Sequence, residues 1–480
     1  MKFRPIFYIQ GLLLIFVGIS MIFPAAFSWY YGDDDIAALL ISAGLSIGIG
    51  LLLYFPLRFK GELRIRESYA IVTLGWIVCS LAGSLPFYIS GYIPSFTDAF
   101  FETMSGFTTT GASILNNIEE LPHGLLFWRS LTQWLGGMGI IVLSLAILPL
   151  LGIGGMQLFR AEIPGPVADK LTPRIQNTAK LLWIVYVVIS AVEAILLMFG
   201  GMNLFDSLCH TFGTMATGGF STKNTSITAF GSAYIDYVII FFMILAGTNF
   251  SLHYHGIRGN LLTYWKNEEV KFYLAIILIC SVIVTIDNLT SVYPNISDSI
   301  RYSLFQVVSI TTTTGYATAD YEQWSSTGQF IMLFLMFIGG SAGSTGGSIK
   351  VLRIMIVLKH GFAELKRIIH PHAVIPVRVN GQVISPNVVN NIFGFIFLYF
   401  SILVFVTWLM TILGLDLVSA FASVAATLGN IGPGLGTVGP ADNYSQIPII
   451  GKWILSFCML AGRLELYTVL LLLTREFWKH

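Results

Sequence analysis

The sequence has few charged residues and few cysteines. Charged residues make up only 11% of the 480 residues and the net charge is +1, so the composition indicates no surface for nucleic acid. The cysteines stand singly in or beside apolar segments and form no Cys-x-x-Cys pair; they are Cys79, Cys209, Cys280 and Cys458. This distribution indicates neither a disulfide framework nor a zinc site.

Motifs for catalysis and for nucleotide binding are also missing. The glycine-rich segment 339–350 ends in Lys350, but this lysine is not placed as the phosphate-loop pattern GxxxxGK[ST] requires, and no strand precedes the segment. A membrane-embedded enzyme would need a nucleophile, base and acid arrangement or a metal-ligand spacing, and the sequence shows neither. We therefore expect neither an enzyme nor an organic cofactor in this chain.

Apolar residues dominate instead, at 55% of the sequence, which is typical of a polytopic membrane protein. Lys2 and Arg4, followed by an apolar run to about Ala26, would also suit a signal peptide. However, the run is long enough to span a bilayer, and a second apolar segment follows within a few residues. We expect a retained hairpin with spans at 7–29 and 36–56.

Four clusters of threonine and glycine interrupt the apolar sequence, at 105–113, 213–221, 309–318 and 426–433. Their anchoring glycines are Gly111, Gly219, Gly315 and Gly432. A spacing of roughly one hundred residues suits a fourfold duplication with a few helices per unit. A single cluster could equally be a small-residue contact between helices, but four clusters at regular spacing favour the duplication.

Each cluster follows a short, largely apolar stretch, at 96–107, 204–215, 299–310 and 418–428. If these stretches are half-helices inside the membrane, the negative ends of their dipoles point at the clusters and favour a cation there. Backbone carbonyls and hydroxyls can replace the water shell of a cation, and glycine lets successive carbonyls face one axis. Irregular backbone at this depth must line a cavity or be buried in protein.

The predicted fold is an all-α polytopic membrane protein with four pseudo-symmetric repeats around a central pore, plus the N-terminal two-helix hairpin. Each repeat contains an outer helix, a pore half-helix with its loop, and an inner helix. The outer and inner helices are expected near 68–91 and 124–151, 179–201 and 233–254, 271–290 and 328–359, and 389–414 and 447–473. The hairpin occupies 1–62 and the repeats occupy 63–160, 161–260, 261–375 and 376–480.

The distribution of lysine and arginine predicts the orientation of these ten spans. Most of these residues fall in connections of one parity, and the few in the other parity are Arg129, Lys223, Arg301 and Lys452. The positive-inside rule then places both termini in the cytoplasm and opens the Thr-Gly loops to the outside.

The glycine-rich segment lies within the predicted inner helix of repeat three. Each glycine is disfavoured in a helix by roughly 1 kcal/mol relative to alanine, so we expect a break or loop inside the membrane. Its glycines are Gly339, Gly340, Gly343, Gly346 and Gly347. A flexible gate that includes Lys350 is the functional interpretation, and a close-packed kink is the alternative.

Arg463 lies in the middle of the last apolar helix. A lone arginine there costs about 2.5–3.5 kcal/mol on insertion scales, so it must face water or a partner. It could project into a cavity below the loops and oppose cation passage, or form a buried ion pair with a carboxylate of a neighbouring helix. Glu465, two positions on, lies on a different face and is not an obvious partner.

Two acids and two histidines leave their roles open. Glu102 and Glu193 fall within apolar segments, where each could line the pore or be a satisfied structural acid. His253 and His255 are two apart near a predicted helix end, which favours a solvated face over a metal site.

Together, the four loops, the glycine-rich segment and the stretches 136–166 and 460–474 resemble the Trk/Ktr/HKT superfamily of cation transporters, including the N-terminal hairpin of its Trk branch. The resemblance implies a K⁺ pore that favours K⁺ and Rb⁺ over Na⁺ and Li⁺. It also implies filter carbonyls at Thr109, Thr110, Gly111, Thr217, Gly218, Gly219, Thr313, Thr314, Gly315, Asn430, Ile431 and Gly432. Repeats two and four depart from the Thr-Thr-Gly pattern at Gly218 and at Asn430-Ile431, which weakens the argument from hydroxyls but not the one from carbonyls.

The resemblance further implies a homodimer in the cell inner membrane that docks on a TrkA-like cytoplasmic regulatory subunit binding ATP, ADP or NADH. The basic segments Arg160 to Lys180 and Lys359 to Arg378 are candidate docking surfaces. A secondary K⁺ symporter coupled to H⁺ or Na⁺ is the alternative function. Inverted repeats and an acid at the membrane midplane would favour it, whereas the predicted repeats share one orientation.

Overall fold

The computed structural model describes residues 2–59, 63–139 and 175–479, and nearly all regular structure in these ranges is helical. The exception is one antiparallel pair of two-residue strands, Arg378–Val379 and Gln382–Val383. Six helices in the described ranges are long and apolar enough to cross a membrane, and a bent pair of helices adds a seventh crossing if counted as one span. The chain is therefore an integral membrane protein.

The N-terminal hairpin is formed as predicted. Its first arm consists of Phe3–Ser20 and Ile22–Tyr31, and its second arm is Ile36–Tyr54. Gly11 and Gly50 face each other across the hairpin, and a methyl group on either would lie 2.7 Å from the carbonyl oxygen of the other. Small residues thus let the two backbones approach closely, as is usual between helices in membranes.

Four repeats of outer helix, pore helix and inner helix follow the hairpin. The outer helices are Ile65–Ile89, Ile175–Phe199, Glu268–Ser291 and Pro386–Ile412. The pore helices are Phe96–Phe107, Leu204–Met215, Ile296–Thr311 and Leu417–Leu428. The inner helices are His123–Gly137, Ala233–Ala246 with Phe250–Ile257, Ser326–Leu335 with Val351–Ile369, and Ile449–Arg463 with Tyr467–Leu473. The remaining short helices in the described ranges are the α-helices Leu262–Lys266 and Arg475–Trp478 and the 3-10 helices Ser226–Phe230, Tyr321–Gln323 and Gly436–Val438.

Local sequence explains where the pore helices begin and end. Each starts after a Ser, Asn or Asp whose side chain accepts a backbone N–H of the first turn: Ser95, Asn203, Asn295 and Asp416. Three of the pore helices have twelve residues and rise only about 18 Å, and the sixteen residues of Ile296–Thr311 rise about 24 Å. Both lengths are less than the roughly 30 Å of a bilayer core. The pore helices therefore end inside the membrane, where their last turns are buried.

The inner helix of repeat two differs from its prediction. A single helix over 233–254 is wrong, because the chain bends by 105° between Ala246 and Phe250. The break exposes main-chain groups, and the glycine-rich segment of repeat three pairs with them. Ser341 N donates to Gly247 O at 2.8 Å, and Phe250 N donates to Gly343 O at 3.1 Å.

The last inner helix is also interrupted, contrary to the single helix predicted over 447–473. Glu465 and Leu466 have φ of 57° and 55°, a left-handed conformation that bulky residues rarely adopt. Tertiary contacts offset this strain: Glu465 forms an ion pair with Arg353, and Leu466 is fully buried.

The predicted break in repeat three is observed. The chain leaves the helix after Leu335 and resumes helical structure at Val351. We call residues 336–350 the intramembrane loop. Its two ends meet in a parallel bridge between Ile338 and Ile349, and Gly339 N donates to Ile349 O at 2.9 Å.

The end of repeat one and the start of repeat two, at 140–174, lie outside the described residues. The predicted helix segment to 151, the stretch 140–166 and the basic residues from Arg160 to Arg174 therefore stay predictions. The same is true of the division of the chain at 62, 160, 260 and 375.

Candidate ion-conduction site

The four Thr-Gly loops share one backbone conformation. The residue two before each glycine has a positive φ: 53° at Thr109, 52° at Thr217, 60° at Thr313 and 53° at Asn430. The glycines have φ of 81° at Gly111, 75° at Gly219, 81° at Gly315 and 98° at Gly432. The residue between these two positions, Thr110, Gly218, Thr314 or Ile431, does not have a positive φ. All four loops thus share the same pattern of positive φ, and the assignment of their carbonyls as ion ligands stays a prediction.

The same glycines show that the loops form a closed ring. The α-carbon of each glycine abuts the carbonyl oxygen of the residue before the next loop's glycine, so closely that a methyl group would overlap that oxygen or lie within 2.8 Å of it. The pairs are Gly111 with Gly218, Gly219 with Thr314, Gly315 with Ile431, and Gly432 with Thr110. Because the fourth loop contacts the first, the four loops surround a common axis.

The ring has a polar outer face. The four glycines line the floor of a vestibule of about 100 Å³, whose wall includes Lys223 and Asp442. Glu322, outside the spanning helices, supports the connection after the fourth loop by accepting a hydrogen bond from Gly436 N at 2.5 Å. Burial raises the pKa of the Glu322 carboxyl, and the bond from Gly436 opposes this rise.

Below the ring, the C-terminal ends of the four pore helices point at the loops, since each helix ends where its loop begins. The partial negative charge at these ends favours a cation at the axis. The arrangement is therefore suited to binding a partly dehydrated cation with carbonyl oxygens.

The threonine hydroxyls mainly brace the loops. Thr108 donates to Met104 O at 2.6 Å, so Thr110 is the donor in the 2.8 Å bond between their hydroxyls. Thr312 and Thr314 repeat this arrangement, with Thr312 donating to Val308 O. The hydroxyls of Thr110 and Thr314 are thus engaged within their loops, and the main-chain carbonyls are the other oxygen atoms that these loops could offer to a cation.

Repeat four replaces these threonines by Gly429 and Ile431, and the amide of Asn430 braces its loop instead. Asn430 Nδ2 donates to Thr110 Oγ1 at 3.0 Å and to Met459 O at 2.9 Å. The departure from Thr-Thr-Gly therefore keeps the loop tied to its neighbours by another side chain.

The intramembrane loop lies directly below the ring and is largely buried. Gly347 N donates to the hydroxyl of Thr313 at 2.7 Å. Thr345 Oγ1 contacts Met215 O and Ala246 O at 3.0 and 3.1 Å. Lys350, only 2% exposed, donates through Nζ to Gly346 O within the loop. The loop thus touches the second and third filter repeats at once.

Arg463 holds the intramembrane loop in this position. Its guanidinium donates to Thr345 O at 2.6 Å and to Gly136 O and Gly137 O at 2.8 and 2.9 Å. These contacts join the loop to the inner helix of repeat one, an arrangement that neither interpretation drawn from the sequence contained.

The remaining candidate residues divide into structural and unexplained groups. Glu102 is a satisfied structural acid, because it pairs with Arg129 at 2.6 Å and accepts from Ile114 N at 2.9 Å. Glu193 is fully buried, and within the described ranges its carboxyl oxygens have no hydrogen-bond partner. The predicted solvated face is wrong for His253, which is buried and bonds to Tyr264 Oη and Leu245 O.

Gln133 is a site residue that the sequence did not reveal. It lies on the inner helix of repeat one, and its side chain bonds to both sides of Gly219 in the second loop. The sequence gives only a weak indication of this role. Gln133 is one amide in an apolar helix, and Gly218 stands where the other loops have a larger residue.

Comparison with known proteins identifies the family. A family model described as "TrkH: Cation transport protein" matches residues 38–479. The Trk system potassium uptake protein TrkH of Escherichia coli K12 is 43% identical over 489 residues, with 100% of both chains covered. TrkG of the same organism, also named a Trk system potassium uptake protein, is 34% identical over 480 residues, with 99% of both chains covered.

A solved structure shares the fold. The crystal structure of the potassium transporter TrkH from Vibrio parahaemolyticus matches with a TM-score of 0.90 and 40% identity, covering 100% of both chains. These matches confirm the resemblance indicated by the four loops and the glycine-rich segment. The chain belongs to the TrkH family of cation transport proteins.

Proposed function

We propose that the chain is a potassium uptake protein whose pore favours K⁺ and Rb⁺ over Na⁺ and Li⁺. The closed contact ring of the four Thr-Gly loops carries this proposal, because it gives a cation carbonyl ligands from all four repeats. The relatives named above are potassium uptake proteins. The proposed ligands are the carbonyls of Thr109, Thr110, Gly111, Thr217, Gly218, Gly219, Thr313, Thr314, Gly315, Asn430, Ile431 and Gly432.

The gate in this proposal is the intramembrane loop with Lys350 and Arg463. Support comes from its position: it is packed under the ring and bonded to Thr313, so an ion leaving the ring meets the loop. Opening requires the loop to lose the hydrogen bond that Arg463 donates to Thr345 O.

Regulation and assembly complete the proposal. The protein is an inner-membrane homodimer with both termini in the cytoplasm, and it responds to a TrkA-like subunit that binds ATP, ADP or NADH. The segment from Lys359 to Arg378 supports such docking because its helix carries basic residues in the last turn, Lys366 and Arg367, and continues directly from the intramembrane loop.

One observation favours a second candidate, a K⁺ symporter coupled to protons. Glu193 is a fully buried carboxyl in an outer helix, and among the described residues it lacks a hydrogen-bond partner. An acid at such depth is a feature of proton-coupled transport. The four repeats share one orientation, however, whereas alternating access is usually built on inverted repeats.

Flux and current measurements test the proposal. Liposomes that contain the purified protein should take up radioactive Rb⁺, with stronger competition from K⁺ than from Na⁺, and uptake should change when the cytoplasmic partner and a nucleotide are added. Unitary currents in a planar bilayer support the channel, while slow saturable exchange that follows a proton gradient and is lost in Glu193→Gln supports the symporter. Equal competition by K⁺ and Na⁺ would contradict the proposed filter.

A further inference from the structure

Each Thr-Gly loop is held by hydrogen bonds from side chains, which we call its brace. Repeat two lacks the pair of hydroxyls that forms this brace in repeats one and three. In repeats one and three, a hydroxyl pair spans the loop, Thr108 with Thr110 and Thr312 with Thr314. The matching positions in repeat two are Ala216 and Gly218, which carry no hydroxyl. The second loop therefore needs a brace from outside its own segment.

The side chain of Gln133 occupies that position. It is 0% exposed, and its amide makes two hydrogen bonds to the second loop. Nε2 donates to Gly218 O at 2.6 Å, and Oε1 accepts from Phe220 N at 3.0 Å. Because these bonds lie on either side of Gly219, the amide holds the central glycine of the loop in place.

Gly218 and Gln133 are matched in size. A methyl group on Gly218 would overlap the carboxamide of Gln133. Gly218 does not have a positive φ, so its backbone does not require glycine. Threonine occupies the same position in repeats one and three. The glycine at 218 thus makes room for the glutamine.

We propose that Gln133 is a positioning residue of the filter, and that its clamp on the second loop sets how well the pore discriminates K⁺ from Na⁺; this rests on the proposed potassium function. The bonded carbonyl, Gly218 O, is one of the four that abut a neighbouring glycine in the ring. The amide fixes the position of this oxygen and shares its lone pairs, so both the width of the ring and its field strength at that level depend on Gln133.

The test is a size exchange between the two positions. Gln133→Ala removes both bonds and should lower the K⁺/Na⁺ flux ratio in liposomes by about tenfold, as expected for the loss of well-formed buried hydrogen bonds. Gly218→Thr should lower the ratio as well, because its side chain collides with the amide. The double variant Gln133→Ala/Gly218→Thr should have a higher ratio than either single variant, because the threonine side chain then fills the space that the amide leaves; it does not regain the full ratio, since position 216 is still alanine and offers no hydroxyl partner.

A matched control separates the clamp from the general loss of a buried amide. Gln10, in the N-terminal hairpin, is also buried. Its Nε2 donates to the main-chain carbonyl of Ile71 at 3.0 Å. Gln10→Ala should leave the flux ratio unchanged. If Gln133→Ala does not yield folded protein, Gln133→Met keeps the length of the side chain without its donor and acceptor, and it should lower the ratio in the same way.

The outcomes are distinguishable from failure of the proposed function. Wild-type protein that does not prefer K⁺ overturns the potassium function itself. Wild-type protein that prefers K⁺, together with folded Gln133→Ala or Gln133→Met of unchanged ratio, overturns the inference about Gln133 alone. A double variant no better than the worse single variant also contradicts the matched pair.

Discussion

Gly315 has no side chain, and the ring can close at this position only because of that. Its φ is 81°, and a methyl group would overlap Ile431 O of the fourth loop. We predict that Gly315→Ala abolishes K⁺ uptake or removes its selectivity, measured as Rb⁺ flux against Na⁺. Gly91 has the same φ of 81° but nothing within 4 Å of the added carbon. Gly91→Ala therefore shares the strain of a left-handed alanine, about 1–2 kcal/mol, without the collision, and should keep selective flux; equal damage from both would refute the contact argument.

Arg463 could limit flux in two ways, and two variants separate them. It could hold the intramembrane loop in place through its hydrogen bonds to Thr345, Gly136 and Gly137, acting as a latch. It could instead act as a barrier, by repelling cations through its positive charge alone. Arg463→Ala should raise Rb⁺ flux in both cases. Arg463→Lys keeps the charge but loses the planar fork of donors that makes these bonds, so increased flux in that variant indicates the latch. Flux below wild type in folded Arg463→Ala would contradict both.

Residue-level features differ in how far the sequence reveals them. The anchoring glycines recur with a regular spacing, and each has a positive φ that explains its identity. Arg463 and Glu102 are recognisable as charges in apolar helices, but their partners are not. Those of Arg463 belong to repeats one and three, and those of Glu102 lie on other segments of repeat one, so neither set follows a local pattern. Gln133 cannot be recognised from the sequence, because a single uncharged amide in an apolar segment is not unusual enough to indicate a role.

Among the helices, local signals determined how well each was predicted. The pore helices Phe96–Phe107 and Leu204–Met215 were predicted to the residue, and the other two to within three residues at either end, since a polar cap and a Thr-Gly cluster delimit each. The break in repeat three was foreseen from its glycines. The breaks at 247–249 and 464–466 were not, because bonds from the intramembrane loop and from Arg353 stabilise them.

The intramembrane loop gives a prediction for a whole element. Deleting Ser341 to Thr345 keeps the Ile338–Ile349 bridge but removes the bonds of Thr345 to Met215, Ala246 and Arg463. We expect higher Rb⁺ flux with retained preference for K⁺, because the ring itself is untouched. Flux and thermal unfolding should be measured on the same preparation. Reduced flux in a deletion variant that unfolds at the wild-type temperature would mean that the loop supports the pore instead of closing it.

At the scale of the whole molecule, two aspartates in the turn between the arms of the N-terminal hairpin attach the hairpin to the inner helix of repeat one. Asp33 accepts from His123 N and Asp35 accepts from Leu125 N, both at 2.8 Å. The two carboxyl groups therefore cap the inner helix of repeat one, although they lie far from it in the sequence. Asp33→Ala/Asp35→Ala should lower stability by about 2 kcal/mol, at roughly 1 kcal/mol per lost cap, seen as a lower unfolding temperature.

Asp34 is the internal control for that measurement. It lies between the two capping residues but is exposed, and it accepts only from the hydroxyl of Tyr92 among the bonds seen in the described residues. Asp34→Ala should change the unfolding temperature less than the double variant does. An equal change would show that negative charge in this loop matters more than the caps.

The contact between Gly432 and Thr110 O also constrains how the protein is made. The segment around Thr110 is synthesised long before the segment around Gly432. Until the last segment is made, three of the four loops are present and the ring is open on one side. During that interval the polar main chain of the early loops has no final neighbour, and the insertion machinery must shield it from lipid. A chain that lacked its last quarter could not close the ring, because the segment that contacts both Gly315 and Thr110 would be missing.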